Sequence, residues 1–224
     1  MDDARGFLVF QIRERLRYYE SLGLRGIARR KKTQTAEPAA SRSLESIRSE
    51  LGECTRCRLH QGRRTIVFGS GNPKARLMFI GEGPGHDEDV QGLPFVGAAG
   101  QLLTKIIESI DLTREEVYIA NIVKCRPPGN REPEPDEVAQ CKPFLDAQIA
   151  SIRPRILCAL GRTALQALLG TSQGIRELRG RALSYGDALL VPTYHPAYLL
   201  RNPGDKRKTW EDMKLIRSLL DEKP

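Results

Sequence analysis

The chain has 224 residues, 40% apolar and 29% charged, enough to bury one substantial core and ordinary for a globular fold. Lys and Arg total 36 against 28 Asp and Glu, a net charge of +8 that favours an anionic partner such as nucleic acid over a merely solvated basic surface only when other features agree. No apolar run approaches the ~18 residues that span a bilayer, and Asp2 and Asp3 stand where a secretory leader carries positive charge, so a cytoplasmic protein with no membrane partner is expected.

Residues 7–28 carry Phe7, Phe10, Leu16, Tyr19 and Leu22 at mostly helical spacing, followed by the basic run Arg29 to Lys32 and the linker-like TQTAEPAASRS. Residues 1–43 are therefore expected as a helical extension and linker, and 44–224 as the main domain. Within that domain a short helix precedes CTRC, and strands then alternate with helices. ARLMFI (75–80) reads as a buried strand stopping at Gly81, and Ala98 to Ile110 as a helix. VYIANIV (117–123) is a second strand, and Pro135 to Ile152 a helix broken or kinked near Pro143. RILCAL (155–160) leads into the helix RTALQALL, and ALLVPTYHP (188–196) ends as a fourth strand. Such alternation predicts an α/β fold: three layers, α/β/α, around a central, mainly parallel four-stranded sheet.

Open parallel sheets bind ligands beyond the carboxyl ends of their strands. The residues there are Gly81 to Gly85, Asn121 to Cys125, Gly161-Arg162 and His195-Pro196, so an acid, an amide and an imidazole are expected on one rim. Cys54, Cys57, Cys125 and Cys141 make a four-thiolate set that suits zinc or a [4Fe-4S] cluster. The long gap between Cys57 and Cys125 favours the cluster, acting as a structural staple, over a compact zinc finger. Cys158 lies inside an apolar strand, where a buried thiol is expected.

Two rim motifs remain. GEGPGHDEDVQGLPFVGAAGQLL (81–103) lacks the spacing of a phosphate loop, but its glycines allow a flat ligand close to the backbone, and Phe95 is placed either to stack on a base or to fill the core. In YHPAYLLRNPGDKRK (194–208), His195 precedes an apolar tip, Tyr198, Leu199 and Leu200, ringed by Arg201, Lys206, Arg207 and Lys208. That pattern suits opening a base stack in DNA.

In this order, CTRC, GEGPG…ED…GLPFVG…G, YIANIVKCRPPGNREPEPDE…C, LG and HPAYLLRNP resemble the family 4, iron-sulfur branch of the uracil-DNA glycosylases over roughly residues 45–220. The resemblance implies a monofunctional hydrolase acting as a monomer on uracil in single- or double-stranded DNA. It implies that His195 donates to uracil O2, Asn121 reads the base edge, Phe95 stacks on the ring, and the backbone of Glu82, Gly83 and Pro84 closes the pocket. Gly83 departs from the Asp found there in a better-known branch, leaving Glu82, or one of Asp87, Glu88 and Asp89, to position water; Glu82 is preferred. No inserted basic loop follows Lys124, so hydrolysis is expected and covalent trapping of DNA is not. The competing expectation is a non-catalytic iron-sulfur DNA-binding module of the same fold.

Overall fold

The computed structural model describes residues 42–222 together with Arg13 and Arg17. Apart from Arg13 and Arg17, the helix expected over 7–28 and the basic run after it fall outside these residues. Helix α1 (Leu44–Leu51) starts at Ser43, whose hydroxyl accepts the Ser46 N–H at 3.1 Å, and it buries Ile47 and Leu51. The remaining elements are β1 (Ser70–Gly71), β2 (Leu77–Gly81), α2 (His86–Gln91), α3 (Ala98–Glu108), β3 (Tyr118–Asn121) and α4 (Pro135–Ile152). They are followed by β4 (Ile156–Leu160), α5 (Arg162–Leu169), α6 (Ile175–Leu178), β5 (Leu183–Tyr185), β6 (Ala188–Thr193), α7 (Pro196–Arg201) and α8 (Lys206–Asp221).

The sheet has six strands in the order β1-β3-β2-β4-β6-β5, which corrects the expected four. The four foreseen strands form its parallel centre, and β1 and β5 add antiparallel edges. Two- and three-residue edges are too short to show an alternating pattern, which is why the sequence hides them. Strand β5 returns into β6 at a tight turn holding Gly186 at φ 57°. Pro192 sits in β6 beyond the last residue paired with β5, so its missing N–H interrupts no ladder on that side.

Side chains of β2 alternate between the two faces. Met78 and Ile80 join Leu145 of α4 and Leu165 of α5, while Leu77 and Phe79 join Leu103 and Ile107 of α3 and Met213 and Ile216 of α8. Both faces are covered, hence the unbroken apolar runs. Each fully buried Ile, Leu or Phe contributes roughly 1.5–3 kcal/mol. Helix α4 continues through Pro143, where a break or kink was expected. Pro143 is exposed, and so is Ala139, whose carbonyl loses its helical partner and remains open to water.

Parallel pairing carries the ends of β2, β3, β4 and β6 to one rim. The chain leaves β2 for β3 on one side and later returns to β4 on the other, creating the crevice in which such sheets hold ligands.

Candidate functional site

Gly81 and Asn121 are register partners at the ends of β2 and β3. A Cβ on Gly81 would lie 2.4 Å from Asn121 Oδ1 and 2.5 Å from Phe95 Cζ, so only glycine lets the amide and the ring meet there. Asn121 is buried, and its Oδ1 is the one buried side-chain nitrogen or oxygen among the described residues with no hydrogen-bond partner. Beneath it lies Lys124, fully buried, donating from Nζ to the Asn121 carbonyl at 2.9 Å and to Gln148 Oε1 at 2.7 Å. Burial lowers the lysine pKa to about 8. The main chain of residue 121 is thus held firmly while its side-chain oxygen is left open for a donor.

Phe95 adopts a left-handed φ of 54°, a conformation the surrounding loop enforces. Glu88 accepts the N–H groups of Val96 at 2.9 Å and Gly97 at 3.0 Å through one oxygen and that of Gly85 at 3.1 Å through the other. Arg114 donates to the Pro94 carbonyl at 2.9 Å from the opposite side. Asp89 is buried and accepts the N–H groups of Arg64 and Thr65. Glu88 and Asp89 are therefore committed to holding loops, and Asp87 is exposed. Glu82 alone of the four carboxylates lines a cavity of about 240 Å³, with Gly161, Thr163, Tyr194, His195 and Tyr198. Burial pushes the Glu82 pKa up; a 2.6 Å hydrogen bond from the Thr163 hydroxyl and the nearby Arg162 charge oppose that shift.

His195 is the N-cap of α7. Its Nδ1 accepts the Ala197 N–H at 3.1 Å, which puts the ring proton on Nε2. The ring lies 5.6 Å from Phe95, tilted by 35°. Burial, then the Arg201 charge, lowers its pKa to about 4 against a smaller opposing pull from Glu88. At neutral pH it is an uncharged donor. Between pH 6.5 and 4 the unfolded chain protonates this imidazole and the folded chain does not, so the residue makes stability fall as pH drops through that window. Replacing His195 with Gln should remove about 2 kcal/mol of the stability difference between pH 7 and pH 5. Chemical denaturation at the two pH values measures this, and parallel losses in both proteins would refute it.

Of the three residues read as an apolar tip, only Leu200 projects, at 46% exposure. Leu199 is buried. The Tyr198 hydroxyl donates to Asp205 at 2.6 Å, and its ring stacks on Tyr194 at 4.9 Å. Arg201 and Lys206 are exposed beside them, and Gly83 and Pro84 continue from β2, where Val123 donates to the Glu82 carbonyl at 3.1 Å.

The fold brings the four cysteines near enough for the charge of one thiolate to act on another: Cys54 on Cys57, both of these on Cys125, and Cys125 and Cys57 on Cys141. Burial pushes up the thiols of Cys57, Cys125 and Cys141, the last to about 11. Donors face the sulfurs: Arg56 to Cys54 at 3.3 Å, Arg63 to Cys125 at 3.4 Å, and the Lys124 N–H to Cys141 at 3.3 Å. The chain between Cys125 and Cys141 is pinned by buried Glu137, which accepts both Arg131 terminal nitrogens and the Glu134 N–H. Among the described residues no group of three or more His, Cys, Asp or Glu side chains is arranged to hold a metal ion. Cysteines close enough for their thiolates to repel one another, two of them buried and two half-buried, with N–H donors facing three of the sulfurs, fit a cationic group that takes them as thiolates. Cys158 faces the other side of the sheet, packed with Phe79 and Val191.

Sequence reasoning missed Lys124, Thr163 and the loop-holding role of Glu88. Lys124 reads as one more surface cation, and nothing in its local pattern announces burial.

Residues 68–214 match the family model of the uracil DNA glycosylase superfamily. The chain is 46% identical to a type-4 uracil-DNA glycosylase of Saccharolobus solfataricus, over 81% of its own length and 88% of the relative's. It is 44% identical to one of Thermotoga maritima (79% and 94%) and 41% identical to one of Archaeoglobus fulgidus (81% and 95%).

Proposed function

The chain belongs to the uracil-DNA glycosylase superfamily, and from that premise we propose that it extrudes uracil from DNA and hydrolyses its N-glycosidic bond, leaving an abasic site with the strand intact. The observation that carries this reading is the orphaned Asn121 Oδ1, buried against Gly81 and Phe95 at the same rim as the neutral Nε2–H donor of His195. Uracil N3–H supplies the proton that Oδ1 lacks, its O4 takes one from the amide nitrogen, and Phe95 stacks on the ring. As the bond between sugar C1′ and uracil N1 breaks, both bonding electrons leave with the base. The charge spreads to O2, where His195 donates. A water oxygen then bonds to C1′ and gives its proton to Glu82, and the uracil anion is protonated from solvent. Gly83 and Pro84 close the pocket through their backbone.

In this reading residues 44–224 form the catalytic domain, acting as a cytoplasmic monomer on single- or double-stranded DNA. Among the described residues no helix is long and apolar enough to cross a membrane. Leu200 enters the base stack, flanked by Tyr198 and backed by Leu199, and Arg201 and Lys206 hold phosphates. Incubation with a uracil-containing oligonucleotide and then alkali is the test. Cleavage at uracil only after alkali supports the glycosylase; no cleavage on any substrate form would leave the DNA-binding module. A pure binder has no use for a cavity in which a carboxylate held by Thr163 faces a neutral imidazole.

Cys54, Cys57, Cys125 and Cys141 hold a [4Fe-4S] cluster in the same proposal. The resemblance to the iron-sulfur branch supports it, as does the match of donors to thiolates. When bound, the cluster cross-links the CTRC segment to the chain around α4, and no step of the hydrolysis passes through it. Purified protein should contain about four irons per chain. Cys141→Ser should lower iron content and thermal stability together, and Cys158→Ser should leave iron unchanged. Stoichiometric zinc in a colourless, active preparation would reject the cluster.

A further inference from the structure

We propose that the cleft between α3 and α8 is a stacking site for an unpaired base of the DNA strand beside the extruded nucleotide, with Trp210 as its platform. The inference rests on the reading that the α7 loop meets DNA, and it adds a second contact outside the uracil pocket. Trp210 is 44% exposed, on the outer face of α8. The cleft it borders has a volume of about 190 Å³ and an apolar wall that includes Leu102, Ile106, Leu199 and Met213.

Three features select the occupant. The first is shape and polarity: an aromatic ring over an apolar slot takes a flat base of any sequence, because every base has a π-face. The second is charge. Lys105 and Lys206 both border the cleft, both are exposed, and neither has an acidic partner among the described residues. Their neighbours differ, since Arg207 is paired with Glu211 and Lys208 with Asp205. Two free ammonium groups around an apolar slot match a base with a phosphate on either side. The third is continuity. Leu199 forms part of the cleft wall, and Leu200, next in the chain, is the exposed residue to which the proposed function gives the wedge role, so a strand parted at Leu200 has the cleft immediately beside it.

The chain contains a single tryptophan, so its emission reports on this cleft alone. The full-length protein is titrated with oligothymidylate free of uracil, following tryptophan emission and, separately, the anisotropy of a labelled copy of the oligonucleotide. Emission should change along the same saturation curve as anisotropy, and DNA should shield the tryptophan from iodide. Trp210→Ala should weaken single-strand binding roughly tenfold, the range expected for one base–aromatic stack, and Trp210→Phe should restore most of it. Both variants should excise uracil at the wild-type single-turnover rate when DNA is saturating. Unaltered affinity in Trp210→Ala overturns the proposal whatever the emission does. A tryptophan already shielded from iodide before DNA is added also overturns it, because another part of the chain or a second copy then covers the cleft. Absence of uracil excision in the wild type counts against the glycosylase reading, and intact excision with a Trp210 indifferent to DNA counts only against this one.

Discussion

His195→Ala should slow uracil release in a single turnover by roughly 10²-fold or more, the range for loss of one donor aimed at developing charge, with DNA affinity little changed. The size follows from how the ring is prepared. The Ala197 N–H occupies Nδ1, so the tautomer that presents Nε2–H is fixed before substrate arrives, and no reorganisation is left for the reaction itself. Burial and Arg201 hold the ring neutral, which makes it a donor with no net charge. Such a donor gains most as negative charge appears on uracil O2, and the ground state, in which O2 is an ordinary carbonyl, gains less. The loss therefore belongs in the chemical step. Rapid-quench measurement at saturating enzyme separates it from binding. Weakened affinity with a normal rate would show that His195 holds a phosphate instead.

The strand ends and the order of motifs were legible because burial on both faces forces apolar runs, and Gly81 and Gly161 mark where two of those runs, β2 and β4, stop at the rim. What stayed hidden depended on direction. HDEDV offers three adjacent acids, and only the fold shows that Glu88 closes the loop around Phe95, that Asp89 reaches back to residues 64 and 65, and that Asp87 stays exposed with its carboxylate beside Gly97. Likewise Tyr198, Leu199 and Leu200 look alike as an apolar tip until the short helix α7 turns Leu199 inward and leaves Leu200 exposed. Lys124 was hidden for the opposite reason: it is charged yet fully buried, satisfied by a carbonyl and an amide that lie far apart in the sequence. A linear pattern records that a residue is polar and is silent about which distant group satisfies it.

Asn121→Asp should lower uracil excision by roughly 10–10²-fold and bring cytosine excision into measurable range, because selection here rests on groups that a wrong base leaves unpaired. The native amide offers one acceptor and one donor in a fixed order. Uracil matches it with N3–H and O4; cytosine presents a lone pair at N3 and an amino group at position 4, opposing both. A carboxyl at this buried position has its pKa raised by burial, against the opposing pull of the Lys124 ammonium that holds the main-chain carbonyl of the same residue, and it acts in its protonated form. That proton sits on either oxygen without any rotation of the side chain, so the acid matches uracil in one form and cytosine in the other. Discrimination is then lost even though the shape of the pocket is kept. Raising the pH through the carboxyl pKa should remove activity on both bases together, since the ionised group offers only acceptors. Single-turnover assays on matched uracil and cytosine oligonucleotides across pH measure all three effects. Wild-type uracil rates with no cytosine release at any pH would take Asn121 out of the recognition step and leave its orphaned oxygen without a ligand.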